Sequence, residues 1–421
     1  MARTTKKDEA KATGRVGRLK MVLAAMGPGI LTAFAGNDAG GIATYSSAGA
    51  SYGFGQLWTI LATGFLLIVV QETAARMSCV TGKGFASLIR EEFGIRKSAL
   101  AMLALVASNI MVTISEFAGI AAGMELFGVP VVLSVPVAAV LVWMLTLGGS
   151  YKRVEKILLA ISCVFLTYII AGVIAKPDWG KAIMSTFVPQ LSSDPSYIGM
   201  LVAIIGTTVS PYMLFMVGAN IVDKNLGTKD LFSQRIDNVS GAIVAQMISW
   251  FIVLTTATVL YPAGITVDSA AEAAQALVPL VGDNAGTLFA VGLVGASFLA
   301  ACVLPGVTAS AVCEAFGWER GTGSTREEAP AYHGILTAVI VASAAVVMLP
   351  GVNLFGIMLV AQVVNGVLLP VLLVCMAKIA SNRHVMGKYV NGRLWNAITW
   401  ATIVIVIVLT VVMFALQAMG Y

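Results

Sequence analysis

Two polar stretches of unusual composition lie inside apolar segments of the chain. In the first, residues 27–44, Asp38 lies between Gly36 and Gly41. Glycine weakens a helix by roughly 1 kcal/mol relative to alanine, and a carboxylate at the bilayer centre costs roughly 2.5–3.5 kcal/mol or more. We therefore expect a discontinuous helix that exposes Asp38 and the backbone carbonyls of Gly36 and Asn37 to a cation. The alternative is a glycine-rich packing face with an aspartate near the interface.

The second stretch, residues 201–213, lies five apolar segments later. Pro211 removes a backbone donor and clashes with the preceding turn, which Gly206 also loosens. The break carries three hydroxyl side chains, those of Thr207, Thr208 and Ser210. Helices interrupted at matching places in two halves of a chain are typical of inverted-repeat transporters with a site near the membrane midplane. We expect the carbonyls of residues 206–208 to add to the oxygen shell of a cation.

Further polar residues lie inside other apolar segments. Gln362 and Asn365 are three residues apart and so share one helical face, where they donate carbonyl oxygens to an ion or hydrogen-bond between helices. Glu116 is deep in the third segment and needs a partner, in an aqueous route or in a structural ion pair. Glu72 and Arg76, at positions i and i+4, are expected to form such a pair.

The donor atoms expected at the two breaks are all oxygens. The chain has 19 methionines, but none lies at either break. Carboxylate, carbonyl, hydroxyl and water oxygens favour Mg²⁺, Ca²⁺ or Mn²⁺, whereas a thioether favours softer metals. A wide site lined by small residues suits Mg²⁺ best, because this ion loses its waters reluctantly. Ligand type alone leaves Na⁺ open.

Composition indicates a polytopic membrane protein. Of 421 residues, 58% are hydrophobic and 11% are charged, against about 25% charged in soluble domains. The five cysteines form no C-x-x-C pair or Cys/His cluster, so neither a disulfide framework nor a zinc site is expected. About eleven apolar runs have spanning length. They are 22–48, 54–79, 97–127, 129–149, 155–175, 196–222, 239–262, 286–315, 331–350, 354–380 and 393–418.

Basic residues alternate between the connections. They follow the second, fourth, sixth, eighth and tenth spans, while the connection 263–285 has none. The exception is the connection 176–196, where Lys176 and Lys181 are balanced by Asp178 and Asp194. The positive-inside rule therefore predicts a cytoplasmic N-terminus with a basic arm over residues 1–20, and a C-terminus outside. We expect residues 21–421 to form one transporter domain in the plasma membrane, the inner membrane of a prokaryote. The positive net charge belongs to these connections, so no nucleic-acid partner is expected.

These motifs resemble the NRAMP family of divalent-metal transporters. Residues 27–29 and 38–41 are similar to the family's Gly-Pro-Gly and Asp-Pro-Gly-Asn, and residues 206–212 to its Gly-Ala-Thr-Val-Met-Pro-His. Residues 71–82 and Gln362 also match family patterns. The resemblance implies an all-α, LeuT-type fold with discontinuous helices 1 and 6. It has two inverted five-helix repeats, about 22–175 and about 196–380, and an extra helix at about 393–418.

The departures from the family pattern concern its ion chemistry. The family's metal-binding Asn corresponds to Gly41, and its metal-binding Met to Ser210. The His linked to proton movement corresponds to Tyr212, and the Asp three residues before Glu116 to Thr113. In this the chain resembles the NRAMP-related magnesium transporters (NRMT), a clade understood to carry hydrated Mg²⁺, and also Mn²⁺, without proton coupling.

We therefore expect a transporter that carries largely hydrated Mg²⁺, or Mn²⁺, into the cytoplasm by alternating access without proton coupling. It is expected to be a monomer in the lipid bilayer, with no cofactor and no enzymatic activity. The expected metal site comprises Asp38, Gly41, Thr207, Ser210 and Gln362. Residues expected behind these or along the pathway are Asn37, Thr208, Tyr212, Asn365 and Glu116.

Three other functions are compatible with the sequence. A proton-coupled Mn²⁺/Fe²⁺ transporter would need a relocated proton acceptor, for which Glu116 is the candidate. A Na⁺-coupled organic-solute symporter would share the fold. An ion channel is the third, although two interrupted helices favour a gated carrier. An enzyme is not expected, because no nucleophile–base pair is present and His333 and His384 lie near span ends.

Overall fold

In this computed structural model, the described residues are 37–147, 161, 163–319 and 325–418. Three sequence features lie outside them: the basic arm 1–20, residues 27–36 of the first polar stretch, and the basic connection 152–156. The described residues form α-helices, short 3-10 turns and loops, and no strand occurs among them.

The α-helices are numbered in chain order. They are α1 (Ala39–Tyr52), α2 (Leu57–Thr81), α3 (Phe85–Glu125), α4 (Val131–Leu147), α5 (Thr167–Ile174), α6 (Trp179–Phe187), α7 (Pro195–Thr208), α8 (Pro211–Asp223), α9 (Leu231–Val259), α10 (Ala270–Ala274), α11 (Val278–Val281), α12 (Ala285–Phe316), α13 (Pro330–Val347), α14 (Leu354–Ala380), α15 (Arg383–Met386) and α16 (Arg393–Ala418). The 3-10 turns are Gly53–Gln56, Cys163–Leu166, Tyr261–Ala263, Gln275–Leu277, Gly282–Asn284 and Gly387–Tyr389.

Each predicted span coincides with helical structure among the described residues. Eight helical stretches there are long and apolar enough to cross a membrane by length and composition. One of these, Ala39–Thr81, contains the predicted second span and residues 39–48 of the first. The fourth and fifth predicted spans are the shorter apolar helices Val131–Leu147 and Val164–Ile174. The all-α, polytopic architecture is therefore confirmed.

The predicted interruption of the sixth span is also confirmed. α7 ends at Thr208, the C-cap N–H of Val209 bonds to Ile205 O at 2.9 Å, and α8 begins at Pro211. Proline fits the first position of a helix, where its missing N–H would have no partner. In the first span, α1 begins at Ala39 with Asp38 as its N-cap. The other half of that span is outside the described residues.

Two helices begin earlier than the hydropathy predicts. α3 begins at Phe85 rather than at residue 97, and Gly94 interrupts it with a left-handed φ of 71°. α9 begins at Leu231 rather than at residue 239. Hydropathy detects only the apolar part of a helix. Polar residues can extend the helix beyond that part where other groups accept hydrogen bonds from the backbone N–H groups of its first turn. At α3, the Glu314 carboxylate accepts a hydrogen bond from the N–H of Ser87 at 3.1 Å.

The site is positioned by closely packed helices. α3 packs along α12 and α14, α1 against α9, and α7 against α14. At the crossing of α7 and α14, a methyl group on Gly206 would lie 2.1 Å from Gln362 O, and one on Gly366 would lie 2.4 Å from Val202 O. Only glycine allows two backbones to approach this closely.

Candidate metal site

The Asp38 carboxylate lies at the N-terminus of α1. Its Oδ1 accepts a hydrogen bond from the N–H of Gly41 at 2.8 Å, as an N-cap residue does. Its Oδ2 is buried and has no hydrogen-bond partner. Gly41 thus provides a backbone donor to Asp38 and adds no side chain to the site. One carboxylate oxygen is held by the helix and the other is available to a ligand.

A second carboxylate from α3 reaches the same helical turn. Glu116 is fully buried, and its Oε2 accepts a hydrogen bond from the N–H of Ala39 at 3.2 Å. Its Oε1 has no partner. The partner that the sequence requires for Glu116 is therefore a backbone amide rather than a cationic side chain. Two carboxylates at one helix N-terminus are each stabilised by the positive end of the helix dipole, and each keeps one unpartnered oxygen.

The break in the sixth span supplies hydroxyl and carbonyl oxygens. Ser210 Oγ donates toward Gly206 O at 3.1 Å and toward Thr207 O at 3.3 Å. Two carbonyls expected to face a cation are therefore already hydrogen-bonded to a side chain. The Thr207 hydroxyl is fully buried and has no partner, so its oxygen can bind a ligand.

Gln362 and Asn365 contact each other on α14, which confirms that they share a helical face. Asn365 Nδ2 donates to Gln362 Oε1 at 3.4 Å. Gln362 Nε2 has no partner and lies beside Gly40 in the first turn of α1. A methyl group on Gly40 would lie 1.8 Å from this nitrogen and 2.9 Å from Ser115 Oγ. The structure thus brings α14 into contact with α1 at the two carboxylates.

The remaining expected residues lie around this centre. Asn37 Oδ1 accepts from Ser249 Oγ at 3.0 Å. The hydroxyls of Thr208 and Tyr45 share a hydrogen bond at 3.0 Å. Tyr212 is buried in the first turn of α8, directly after Pro211.

Three residues near the site were not found from the sequence: Ser115, Tyr45 and Ser249. Ser115 is fully buried, and its hydroxyl has no partner. The sequence did hold a signal for two of these residues. Ser115 is next to Glu116, and Tyr45 lies two helical turns after Asp38. Ser249 offered none, because its contact with Asn37 spans 212 residues of sequence.

Sulfur and nitrogen ligands are absent from the described part of this centre. The nearest methionine to the sixth-span break, Met213, accepts a long contact from Gln71 Nε2 at 4.0 Å. No group of three or more His, Cys, Asp or Glu that could hold a metal occurs among the described residues. The arrangement is a small, buried set of oxygen donors around two carboxylates. Oxygen donors of this kind suit a hard cation.

The predicted pair of Glu72 and Arg76 is confirmed away from this centre. Arg76 Nε lies 3.2 Å from Glu72 Oε1, and both side chains are buried. Arg235 adds a second cation at 2.8 Å from the same carboxylate. Arg76 also donates to Tyr389 O and to Asn391 Oδ1, the latter at 2.6 Å. This cluster joins α2 to α9 and to the segment after α15.

Comparisons with known proteins agree with this architecture. The chain is 25% identical over 407 residues to the divalent metal cation transporter MntH of Granulibacter bethesdensis, covering 94% of this chain and 88% of that protein. It is also 25% identical over 412 residues to MntH of Bacillus subtilis, covering 94% and 93%. These relatives are named as transporters and not as enzymes.

Solved structures show the same fold. A crystal structure of a manganese transporter of Eremococcus coleocola has a TM-score of 0.77 at 20% identity, covering 93% of this chain and 86% of that one. MhsT in complex with L-phenylalanine has a TM-score of 0.59 at 16% identity, covering 92% and 97%. The expected LeuT-type fold of a multi-pass membrane protein is confirmed. The Nramp model, described as natural resistance-associated macrophage protein-like, matches residues 29–416, and the chain therefore belongs to the Nramp family.

Proposed function

We propose that the protein carries Mg²⁺, largely hydrated, through the membrane by alternating access and without proton coupling. The observation that carries this proposal is the pair of unpartnered, buried carboxylate oxygens, Asp38 Oδ2 and Glu116 Oε1, at one helix N-terminus. Buried charges are expensive unless they are paired or bind a cation. A divalent ion bound at Asp38 Oδ2, with Glu116 Oε1 accepting from one of its waters, would provide that compensation.

The ligand set comprises Asp38, Gly41, Thr207, Ser210 and Gln362. Asp38 provides the charge, while Thr207, Ser210 and Gln362 hold the ion mainly through its waters. Gly41 leaves room for those waters because it has no side chain. Mg²⁺ usually keeps several waters and binds through one or two carboxylates, which this set provides.

The proposed substrate, Mg²⁺, is not a metal that the names of the relatives mention. Those relatives are named as divalent metal cation transporters, and one solved structure is named as a manganese transporter. We extend divalent-metal transport to this chain on that basis. The preference for Mg²⁺, with Mn²⁺ also accepted, rests on Ser210 and Gly41 at positions where the family's soft and amide ligands would lie, since oxygen donors favour hard ions.

Transport would follow from movement of the first and sixth spans against spans three, four, eight and nine. Two inverted repeats, about 22–175 and about 196–380, would make this movement symmetric across the membrane. The positive-inside pattern supports a cytoplasmic N-terminus in a prokaryotic inner membrane. Membrane potential would then drive uptake, since moving two charges through about 100 mV is worth about 4.6 kcal/mol. We propose that the monomer is the working unit.

The test is Mg²⁺ uptake into proteoliposomes that contain magnesium-sensitive and pH-sensitive dyes, at a set membrane potential. We expect potential-driven Mg²⁺ entry with no pH change, and loss of entry in Asp38→Ala. The matched control is Asp194→Ala, which also removes an N-cap aspartate, one that accepts from Ser196 N at 3.1 Å outside the site. This control should transport normally.

Other outcomes point elsewhere. Entry of Mn²⁺ alone, together with acidification, would reject the Mg²⁺ preference and the absence of proton coupling. No flux of any divalent ion would reject metal transport itself. Loss of uptake in both aspartate variants would show that helix capping, and not ion binding, explains the effect of Asp38→Ala.

A further inference from the structure

The side-chain amide of Asn365 connects the break of the sixth span to Gln362. Its Nδ2 donates to Gly206 O at 2.6 Å, to Ser210 Oγ at 2.9 Å and to Gln362 Oε1 at 3.4 Å. Its Oδ1 accepts a hydrogen bond from Ser108 Oγ. Asn365 is fully buried, so no solvent competes for these contacts. One side chain on α14 therefore contacts α3, α7 and a candidate ion ligand.

The orientation of this amide is fixed by chemistry. A backbone carbonyl only accepts hydrogen bonds, so the group that faces Gly206 O must be the Asn365 NH₂ group. The reverse orientation would place two acceptor oxygens against each other. The same NH₂ group faces Gln362, and the side chain of Gln362 is therefore oriented with Oε1 toward Asn365.

In this orientation, Gln362 Nε2 faces α1. Gln362 Nε2 is buried without a partner, next to Gly40 and near Ser115 Oγ. An NH₂ group carries positive partial charge and has no lone pair to give a cation. For Gln362 to bind an ion through oxygen, its amide has to rotate, and the rotation removes Oε1 from Asn365.

We propose that Asn365 is a positioning residue that holds Gln362 in an ion-free orientation, and that ion binding exchanges the Asn365–Gln362 hydrogen bond for a contact of Gln362 Oε1 with the ion or with one of its waters. The inference rests on the proposed role of Gln362 as a ligand. Once Gln362 rotates, the Asn365 NH₂ group bonds to Gly206 O and Ser210 Oγ alone. Before the rotation the two hydrogens of this NH₂ group are shared among three acceptors, so loss of Gln362 Oε1 strengthens the two contacts at the break between α7 and α8.

The test measures ion affinity by calorimetry on the full-length protein in lipid nanodiscs, with MgCl₂ and with MnCl₂. Asn365→Leu is compared in the wild-type and the Gln362→Glu backgrounds. A carboxylate has an oxygen on both sides and needs no rotation. In the wild-type background we expect Asn365→Leu to tighten Kd by about two- to fivefold, as loss of one weak neutral hydrogen bond implies. In the Gln362→Glu background we expect no change.

Equal tightening in both backgrounds would overturn the proposal, because Asn365 would then act only through Gly206 and Ser210. Weaker binding in the wild-type background would overturn it as well. The matched control is Asn109→Leu, which removes another fully buried amide, one that donates to Thr308 Oγ1 at 2.7 Å. It should leave Kd unchanged in both backgrounds.

The experiment can also be interpreted if Asn365→Leu does not fold or if Mg²⁺ does not bind. If Asn365→Leu does not fold, Ser108→Ala releases Asn365 Oδ1 and is measured in the same two backgrounds, with the same dependence on Gln362 expected. If the protein binds Mn²⁺ but not Mg²⁺, the Mg²⁺ preference fails. The comparison of backgrounds then tests the role of Asn365 with Mn²⁺ alone.

Discussion

Glu116 on α3 accepts a hydrogen bond from the backbone N–H of Ala39 at the start of α1, at 3.2 Å and 77 residues away in sequence. A carboxylate from one helix thus caps another helix at the residue next to Asp38. The position of the Asp38 carboxylate therefore depends on α3 as well as on α1.

We predict that the acceptor role of Glu116 matters more for folding than its charge. Glu116→Gln keeps an oxygen that can accept from Ala39 N–H and should unfold near the wild-type temperature. Glu116→Leu leaves that buried donor without a partner and should lose about 1–3 kcal/mol of stability. Thermal unfolding of the two variants in detergent distinguishes these cases. Equal destabilisation by Gln and Leu would show that the charge is what holds α1.

Gly40 is predicted to be essential for ion affinity. A methyl group there would lie 1.8 Å from Gln362 Nε2, so the Gln362 side chain must move away in Gly40→Ala. Displacing one polar ligand should raise the KM for Mg²⁺ by about tenfold, or about 1.4 kcal/mol. The control is Gly334→Ala on α13, where no atom lies within 4 Å of the added methyl group. It should keep the wild-type KM and stabilise the protein by about 0.4–1 kcal/mol. An unchanged KM in Gly40→Ala would contradict the placement of Gln362.

Ser210 is predicted to determine the preference between hard and soft ions. Ser210→Met places a thioether at the break, which should increase uptake of Cd²⁺ relative to Mg²⁺. Ser210→Leu has a similar volume without sulfur and should lose Mg²⁺ uptake without gaining Cd²⁺ uptake. Competition between the two ions in proteoliposomes gives the comparison. If Met and Leu behave alike, Ser210 lies outside the ion's reach.

In the buried cluster around Glu72, loss of the carboxylate should destabilise the protein far more than loss of Arg235. Glu72→Ala leaves Arg76 buried without its carboxylate and should cost about 3–5 kcal/mol. Arg235 is half-exposed, with 52% of its side chain accessible, and Arg235→Ala should cost less than about 1 kcal/mol. Thermal unfolding measures both. Similar losses in the two variants would mean that Arg235 is an integral member of the cluster.

The sequence predicted those features that local chemistry determines. Pro211 and Gly206 indicated the break, and the i, i+3 spacing of Gln362 and Asn365 indicated their shared face. The i, i+4 pair Glu72–Arg76 was likewise local. Each of these depends on residues a few positions apart, so periodicity and helix sterics were sufficient.

The contacts that complete the site were beyond the reach of such rules. Glu116 bonds to Ala39 and Asn365 to Gly206, pairs separated by 77 and 159 residues. Ser115 showed no polar periodicity of its own. Such contacts depend on how helices pack against each other, which one sequence does not specify. The bonds from Ser210 to the Gly206 and Thr207 carbonyls are different, because they span only four and three residues. Serine commonly bonds to the carbonyl one turn earlier, so the sequence carried a local signal for them.

The close contact of α7 and α14 at Gly206 and Gly366 gives the two halves of the sixth span different surroundings. With backbones touching at Gly206 and Gly366, the two helices have no side-chain layer that could yield between them. α8, after the break, packs mainly on α2 and α3. The two halves of one span thus have different main neighbours, α14 for α7 and α2 for α8, and residues 209–210 lie between the two halves. In the proposed alternating-access cycle, α8 would tilt about residues 209–210 while α7 stays in place against α14.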